Sequence, residues 1–149
     1  MNHWLMKSEP DSFSIDDLAL NSPSAWDGVR NYQARNFIRS MRPGDSFLFY
    51  HSSCKPPGIA GIGRIVSEPY PDRSALDPDN PYHDPKACES HLPWVAVDVS
   101  LEKKFPKLLP LSDIKQLDGL DELPLLHKGH RLSVMPVTAD QWAILTNSE

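Results

Sequence analysis

The chain has 149 residues, with 15 Lys+Arg against 20 Asp+Glu and a formal net charge of −5. That length fits one domain able to bury a core without disulfide or metal staples, and hydrophobic and charged fractions of 40% and 23% exclude a disordered or fibrous chain. The acidic balance argues against strong non-specific duplex binding, which depends on many Lys and Arg contacts to phosphate, and leaves room for a local basic patch.

Fifteen prolines, about twice the usual share of ~5%, work against long helices and predict short elements with irregular connections. His3 to Lys7 reads as a first strand, ended by Pro10. Ser14-Ile-Asp-Asp17 is a capping box with Asp in place of Glu, which opens a short helix to about Leu20. Asn31 is an N-cap for a helix over Tyr32 to Met41, where Ala34, Phe37, Ile38 and Met41 follow i, i+3, i+4, i+7. Pro43-Gly44 makes a turn into Ser46–His51, a strand apolar enough to be buried on both faces.

Ile59 to Val66 is the next strand, and its glycines mark a bulge, a sharp bend or a close approach. Residues 67–93 hold six prolines and almost no periodicity, an unusually long loop of the kind that carries function. Trp94 to Val99 is a strand, Ser112 caps a short helix through Leu117, and Arg131 to Val137 is the last long strand. Thr138-Ala-Asp-Gln141 is a capping box for the final helix, Ala139 to Leu145. About five strands among short helices predict an α+β domain on a small, curved, largely antiparallel sheet or barrel.

The stretch with the strongest chemistry runs from Trp26 to Arg42. Residues 28 to 42 carry Arg30, Arg35, Arg39 and Arg42 and no acid. On a helix, Arg35, Arg39 and Arg42 share the face away from the apolar stripe. The helix N-terminus offers free N–H groups to an anion, and Trp26, Gly28 and Tyr32 stand at that end. Arginines interleaved with aromatics suit single-stranded or flipped bases, and a solvated helix face is the plain alternative. Tyr50, His51 and Ser52 form a second cluster that could bond the edge of a planar ring, or simply be a polar strand end.

Other patterns fail. Ser52-Ser-Cys-Lys55 matches SxxK without its companion elements. Cys54 lies near His51 and Lys55, yet an inert thiol is the simpler reading. Asp77 to Asp84 lacks the glycine and glutamate of a calcium loop, and His83, Cys88 and His91 match no common zinc spacing. With two cysteines, no apolar run near ~18 residues and no signal peptide pattern, the expectation is a reduced, soluble, cytoplasmic protein.

Five segments, spread over the chain, carry a family resemblance: Trp4-Leu-Met-Lys-Ser-Glu-Pro10, Trp26 to Asn36, Gly44 through Ser52, Trp94-Val-Ala-Val97, and Arg131-Leu-Ser-Val134 with Pro136-Val137. The sequence resembles the EVE domain, a member of the PUA-like superfamily, over residues 1–149 as a single domain. The resemblance implies a PUA-like pseudo-barrel of mixed strands flanked by short helices, with a pocket for a nucleobase. Carried over by position, that pocket is walled by Lys7 and Ser8; by Trp26, Gly28, Val29, Arg30, Asn31 and Tyr32; by Tyr50, His51 and Ser52; and by Arg131, Leu132 and Ser133, with Arg35 and Arg39 on flanking phosphates. The function expected is a non-catalytic, monomeric reader of a modified, cytosine-derived base in RNA or DNA, needing no metal or cofactor. The alternative is a hydrolase of a modified base or nucleoside using Lys7, Ser8 and Glu9.

Overall fold

The computed structural model describes residues 1–127 and 132–148. Its frame is a seven-stranded sheet of β1 (His3–Ser8), β2 (Ser24–Trp26), β3 (Ser46–His51), β4 (Gly58–Ile65), β5 (Tyr70–Pro71), β6 (Val95–Pro110) and β7 (Val134–Val137). The order is β2-β6-β4-β3-β1-β7, with β5 added on β6. Among the described residues only β1 and β3 run parallel. A parallel pair needs a long crossover, and here the crossover contains α1 (Ile15–Leu20), β2 and α2 (Tyr32–Arg39). The sheet curls into a half-barrel, and with α3 (Leu111–Ile114) and α4 (Ala139–Thr146) it makes a PUA-like α+β fold.

Local chemistry explains the curl. Register shifts interrupt the β4 pairings beside Phe49, between Ile59 and Gly61, and between Ile62 and Gly63, and such bulges bend a strand and increase its twist. The β4 glycines answer to close packing: a Cβ at Gly61 would collide with the Lys103 carbonyl, and one at Gly63 with the Phe47 ring. Lying between β1 and β4, β3 buries Ser46 through Tyr50 without a break. Phe47, Leu48 and Phe49 join Leu5, Met6, Leu18, Ile38, Met41, Ile59 and Ile65 in the core, each large side chain contributing about 1.5–3 kcal/mol of burial. Asp45 is buried among them and accepts from Trp4 Nε1 (3.1 Å) and from the N–H groups of Asn2 and Arg42. Burial alone would raise its pKa, but these bonds, led by the Trp4 indole, hold it below the ordinary value.

The helix starts follow their sequence signals. Both capping boxes are formed, Ser14 with Asp17 and Thr138 with Gln141, and Asn31 Oδ1 accepts the Ala34 N–H at 2.9 Å. Differences lie where hydrophobic periodicity is weak. Seven strands replace the five expected, because β2 and β5 have three and two residues and show no alternation. β6 runs on from Val99 to Pro110 through polar Glu102, Lys103 and Lys104, while Phe105 and Leu109 still reach the core. α3 begins after Pro110, so Ser112 lies inside it rather than capping it, and it ends at Ile114. α2 stops at Arg39, short of Met41. β7 starts only at Val134, and the expected strand start at Arg131 lies outside the described residues.

Candidate nucleic-acid interface

The C-terminal ends of β1 and β3 are stitched to the segment before β7: Ser52 N–H donates to the Ser8 carbonyl (3.0 Å) and Lys7 N–H to the Ser133 carbonyl (2.8 Å). β2 pairs with the start of β6, Trp26 opposite Val97, and delivers Trp26 to the same end of the sheet. Between these strand ends and the 67–93 segment opens a cleft of about 950 Å³. Lys7, Ser8 and Glu9 line it from β1 onward, Trp26 through Asn31 from β2 onward, and Ser12, Phe13, Ser52, Ser133, Pro81 and Tyr82 from the neighbouring segments.

Trp26 forms a wall that is mostly core. It is 6% exposed, packed edge to face against Phe13, Phe47 and Phe49 with centroids 5.2–6.0 Å apart. The Trp4 and Trp94 indoles donate to Asp45 and Asp84, whereas no acceptor among the described residues takes the Trp26 N–H. Lys7 is similar. Its ammonium lies 5.9 Å from the Tyr50 ring centre and forms no ion pair among the described residues, and burial pushes its pKa down. Asp27, on the facing wall, has its pKa raised by desolvation and by the nearby Asp72. Donors and acceptors with unspent hydrogen-bonding capacity thus surround a space bordered by rings.

The far wall hangs on Asp72. This carboxylate, 2% exposed, accepts from Gly28 N–H (2.9 Å), from Arg30 Nη1 (2.9 Å), and from the backbone and hydroxyl of Ser74. Burial would raise its pKa, but the Ser74 hydroxyl, the Gly28 N–H and Arg30 more than offset that and hold it low. Arg30 also donates from Nε to the Tyr82 carbonyl (2.9 Å) and from Nη2 to Ser74 (3.1 Å). The long loop is therefore ordered: Trp94 Nε1 donates to Asp84 at 2.8 Å, and β5 pairs Tyr70 and Pro71 with Ala96 and Val95.

The family model for the EVE domain matches residues 2–148. The chain belongs to the EVE domain family. It is 40% identical over 166 aligned residues to thymocyte nuclear protein 1 of Homo sapiens, covering 99% of this chain and 74% of the relative. Among solved structures, this EVE domain is similar to a Pseudomonas putida protein (59% identity, TM-score 0.95, 97% of each chain). It is also similar to human THYN1 protein in complex with 5-methylcytosine-containing DNA (40% identity, TM-score 0.90, 100% of this chain and 98% of that one).

Within the EVE domain, Lys7, Ser8, Trp26, Gly28, Val29, Arg30, Asn31, Ser52 and Ser133 line the cleft. Several of these are spent at least in part: Ser8 Oγ donates to the Phe13 carbonyl (2.7 Å), Asn31 Oδ1 caps α2, and Arg30 and the Gly28 N–H are taken up by Asp72 and its neighbours. Of the other residues expected at the pocket, the described ones do not line the cleft. Tyr50 is 3% exposed in the core, with its pKa pushed up to about 12 by burial. His51 Nε2 accepts the Ile15 N–H (3.1 Å) at the start of α1, and burial lowers its pKa. Leu132 is buried, and Arg131 lies outside the described residues.

Tyr32 packs at a tilt against Trp94 (ring centres 4.8 Å apart) in a shallower groove, under the Arg35 guanidinium. Arg35 and Arg39 both reach the Pro93 carbonyl, at 3.3 and 3.5 Å, and so tie α2 to the loop. Arg42 donates to the Met41 carbonyl and faces Glu68 at 3.8 Å. Sequence reasoning passed over Phe13, Asp72 and Tyr82, and gave Asp27, inside the wall from Trp26 to Tyr32, no role of its own. Asp27 lies inside the Trp26–Asn36 motif and was within reach; Asp72 and Tyr82 sit in the aperiodic loop, where no pattern marks them.

Proposed function

We propose that this EVE domain is a non-catalytic reader of a modified cytosine, 5-methylcytosine first, in DNA. The observation that carries the reading is a cleft of base-accommodating size, bordered by Trp26, Phe13 and Tyr82 and fringed by polar groups with hydrogen-bonding capacity left over among the described residues, in a chain that resembles the DNA-bound human protein throughout. An extruded base costs a few kcal/mol to unstack. Stacking returns about 1–3 kcal/mol, and edge hydrogen bonds must supply the remainder and the selectivity.

The available groups suit a cytosine edge. Lys7 and the Trp26 N–H donate toward ring acceptors, Asp27 accepts from an exocyclic amine, and Phe13 and Val29 offer apolar surface for a 5-methyl group. Fluorescence anisotropy at fixed salt, with matched DNA and RNA oligonucleotides carrying one 5-methylcytosine, cytosine or thymine, tests this. The expected result is tightest binding to 5-methylcytosine DNA. Equal affinity across the panel contradicts it.

A further inference from the structure

Tyr82 was marked by no sequence pattern, and its placement is the most specific feature of the long loop. A Cβ built on Gly28 would sit 2.7 Å from three atoms of the Tyr82 ring, Cδ2, Cε1 and Cε2. A point equidistant from atoms on both sides of a ring lies near the ring axis, so Tyr82 presents its face to the Gly28 backbone. Gly28 has φ +79°, a conformation that favours glycine, and the absence of a side chain leaves room for the ring. The Tyr82 main chain is fixed on both sides: Arg30 Nε donates to its carbonyl at 2.9 Å, and its N–H donates to Asn80 Oδ1 at 2.8 Å. Arg30 is itself held by the buried Asp72.

We propose that Tyr82 is the outer stacking wall of the base site, a flat plate seated on Gly28 and delivered by the 67–93 loop. The inference rests on the base-reading function above. Three rings border the cleft, and they are not equivalent. Trp26 is 6% exposed in edge-to-face contact with three phenylalanines, and Phe13 is half-buried against Trp26 and Phe49. Tyr82 is 38% exposed, with one face on the Gly28 backbone, the Arg30 guanidinium 5.9 Å from its ring centre, and no second ring stacked on it among the described residues. Of the three rings, Tyr82 is the most exposed, and so the one best able to stack on a base that enters between the sheet ends and the loop. The plate is preorganised: its position is set by Asp72, Arg30 and Gly28 before any ligand arrives, which reduces the ordering cost of binding.

The test is anisotropy at fixed salt with DNA carrying one 5-methylcytosine, using wild-type protein, Tyr82→Phe and Tyr82→Ala, each with a melting curve to confirm folding. Loss of one base–aromatic stack predicts a Kd raised roughly tenfold or more in Tyr82→Ala, with Tyr82→Phe within about twofold because the face is kept. Wild-type affinity in folded Tyr82→Ala overturns the stacking role and leaves the reader intact. Tighter binding by Tyr82→Ala also overturns it, because the ring would then be occupying the base's space. Wild-type protein that binds modified and unmodified DNA alike removes the underlying reading, and the Tyr82 role with it.

Discussion

The cleft and the arginine face of α2 lie on either side of Arg30 and use polar groups in opposite ways. Along α2 the guanidiniums of Arg35 and Arg39 turn onto the Pro93 carbonyl and so fasten the helix to the loop, and just beyond the helix Arg42 donates to the Met41 carbonyl and faces Glu68. At the cleft, the Lys7 ammonium, 5.9 Å from the Tyr50 ring centre, and the Trp26 N–H have no hydrogen-bond acceptor among the described residues. Hydrogen-bonding capacity left over after folding is a sharper sign of a site than the count of charges. Buried or half-buried polar groups cost free energy unless satisfied, so groups held unsatisfied at a cleft mark where a ligand supplies the missing bonds.

The largest effect that sharpens this contrast is expected at Trp26. Because its rings belong to the core, Trp26→Ala should destabilise the fold by about 3–5 kcal/mol and abolish DNA binding, read by urea denaturation and anisotropy. Trp26→Phe, which keeps one aromatic ring in the core and removes the N–H donor, should be less destabilising than Trp26→Ala, stay folded and still lose affinity. Full affinity in Trp26→Phe would show that the free N–H takes no part in recognition.

Asp72 comes next. Its removal strands Arg30 and frees the Gly28 N–H, so Asp72→Ala should cost about 3 kcal/mol and weaken binding by loosening the Tyr82 wall. The same group makes stability pH-dependent. A carboxylate whose folded pKa is depressed stabilises the fold at pH values above its unfolded value and loses that contribution as pH falls through the lower folded value. Here that window lies below the ordinary 3.8. Urea midpoints should therefore fall less steeply on acidification in Asp72→Asn than in wild type; parallel curves would contradict the depressed pKa.

The smallest effect belongs to the α2 face. Arg39→Ala removes one exposed, 3.5 Å contact and should change stability by no more than about 0.5 kcal/mol. If the face also touches phosphate, affinity should drop evenly across sequences, with the salt slope reduced by about 1. Sequence-selective loss in Arg39→Ala would move base recognition toward α2 and erase the contrast.

The sequence made parts of this legible for clear physical reasons. Capping boxes at Ser14 and Thr138, the cap at Asn31 and the apolar run Ser46–Tyr50 are local signals, and the structure realises each of them. The α2 arginines were legible as a cluster, but their partners, above all the Pro93 carbonyl, are 54 to 58 residues away and no local pattern reports them. Asp72 organises the far wall through contacts with residues more than 40 positions earlier. Tyr82 matters because it rests on Gly28, a pairing that only the folded chain creates.

The central claim is that a base enters the cleft rather than lying along α2. The most direct measurement is a titration of ¹⁵N-labelled protein with 5-methylcytosine DNA, followed by amide and indole shifts. The account predicts the largest changes at the Trp26 indole and at the amides of Lys7, Gly28, Tyr82 and Ser133. Changes confined to Tyr32 through Arg42, with the Trp26 indole unmoved, would contradict it.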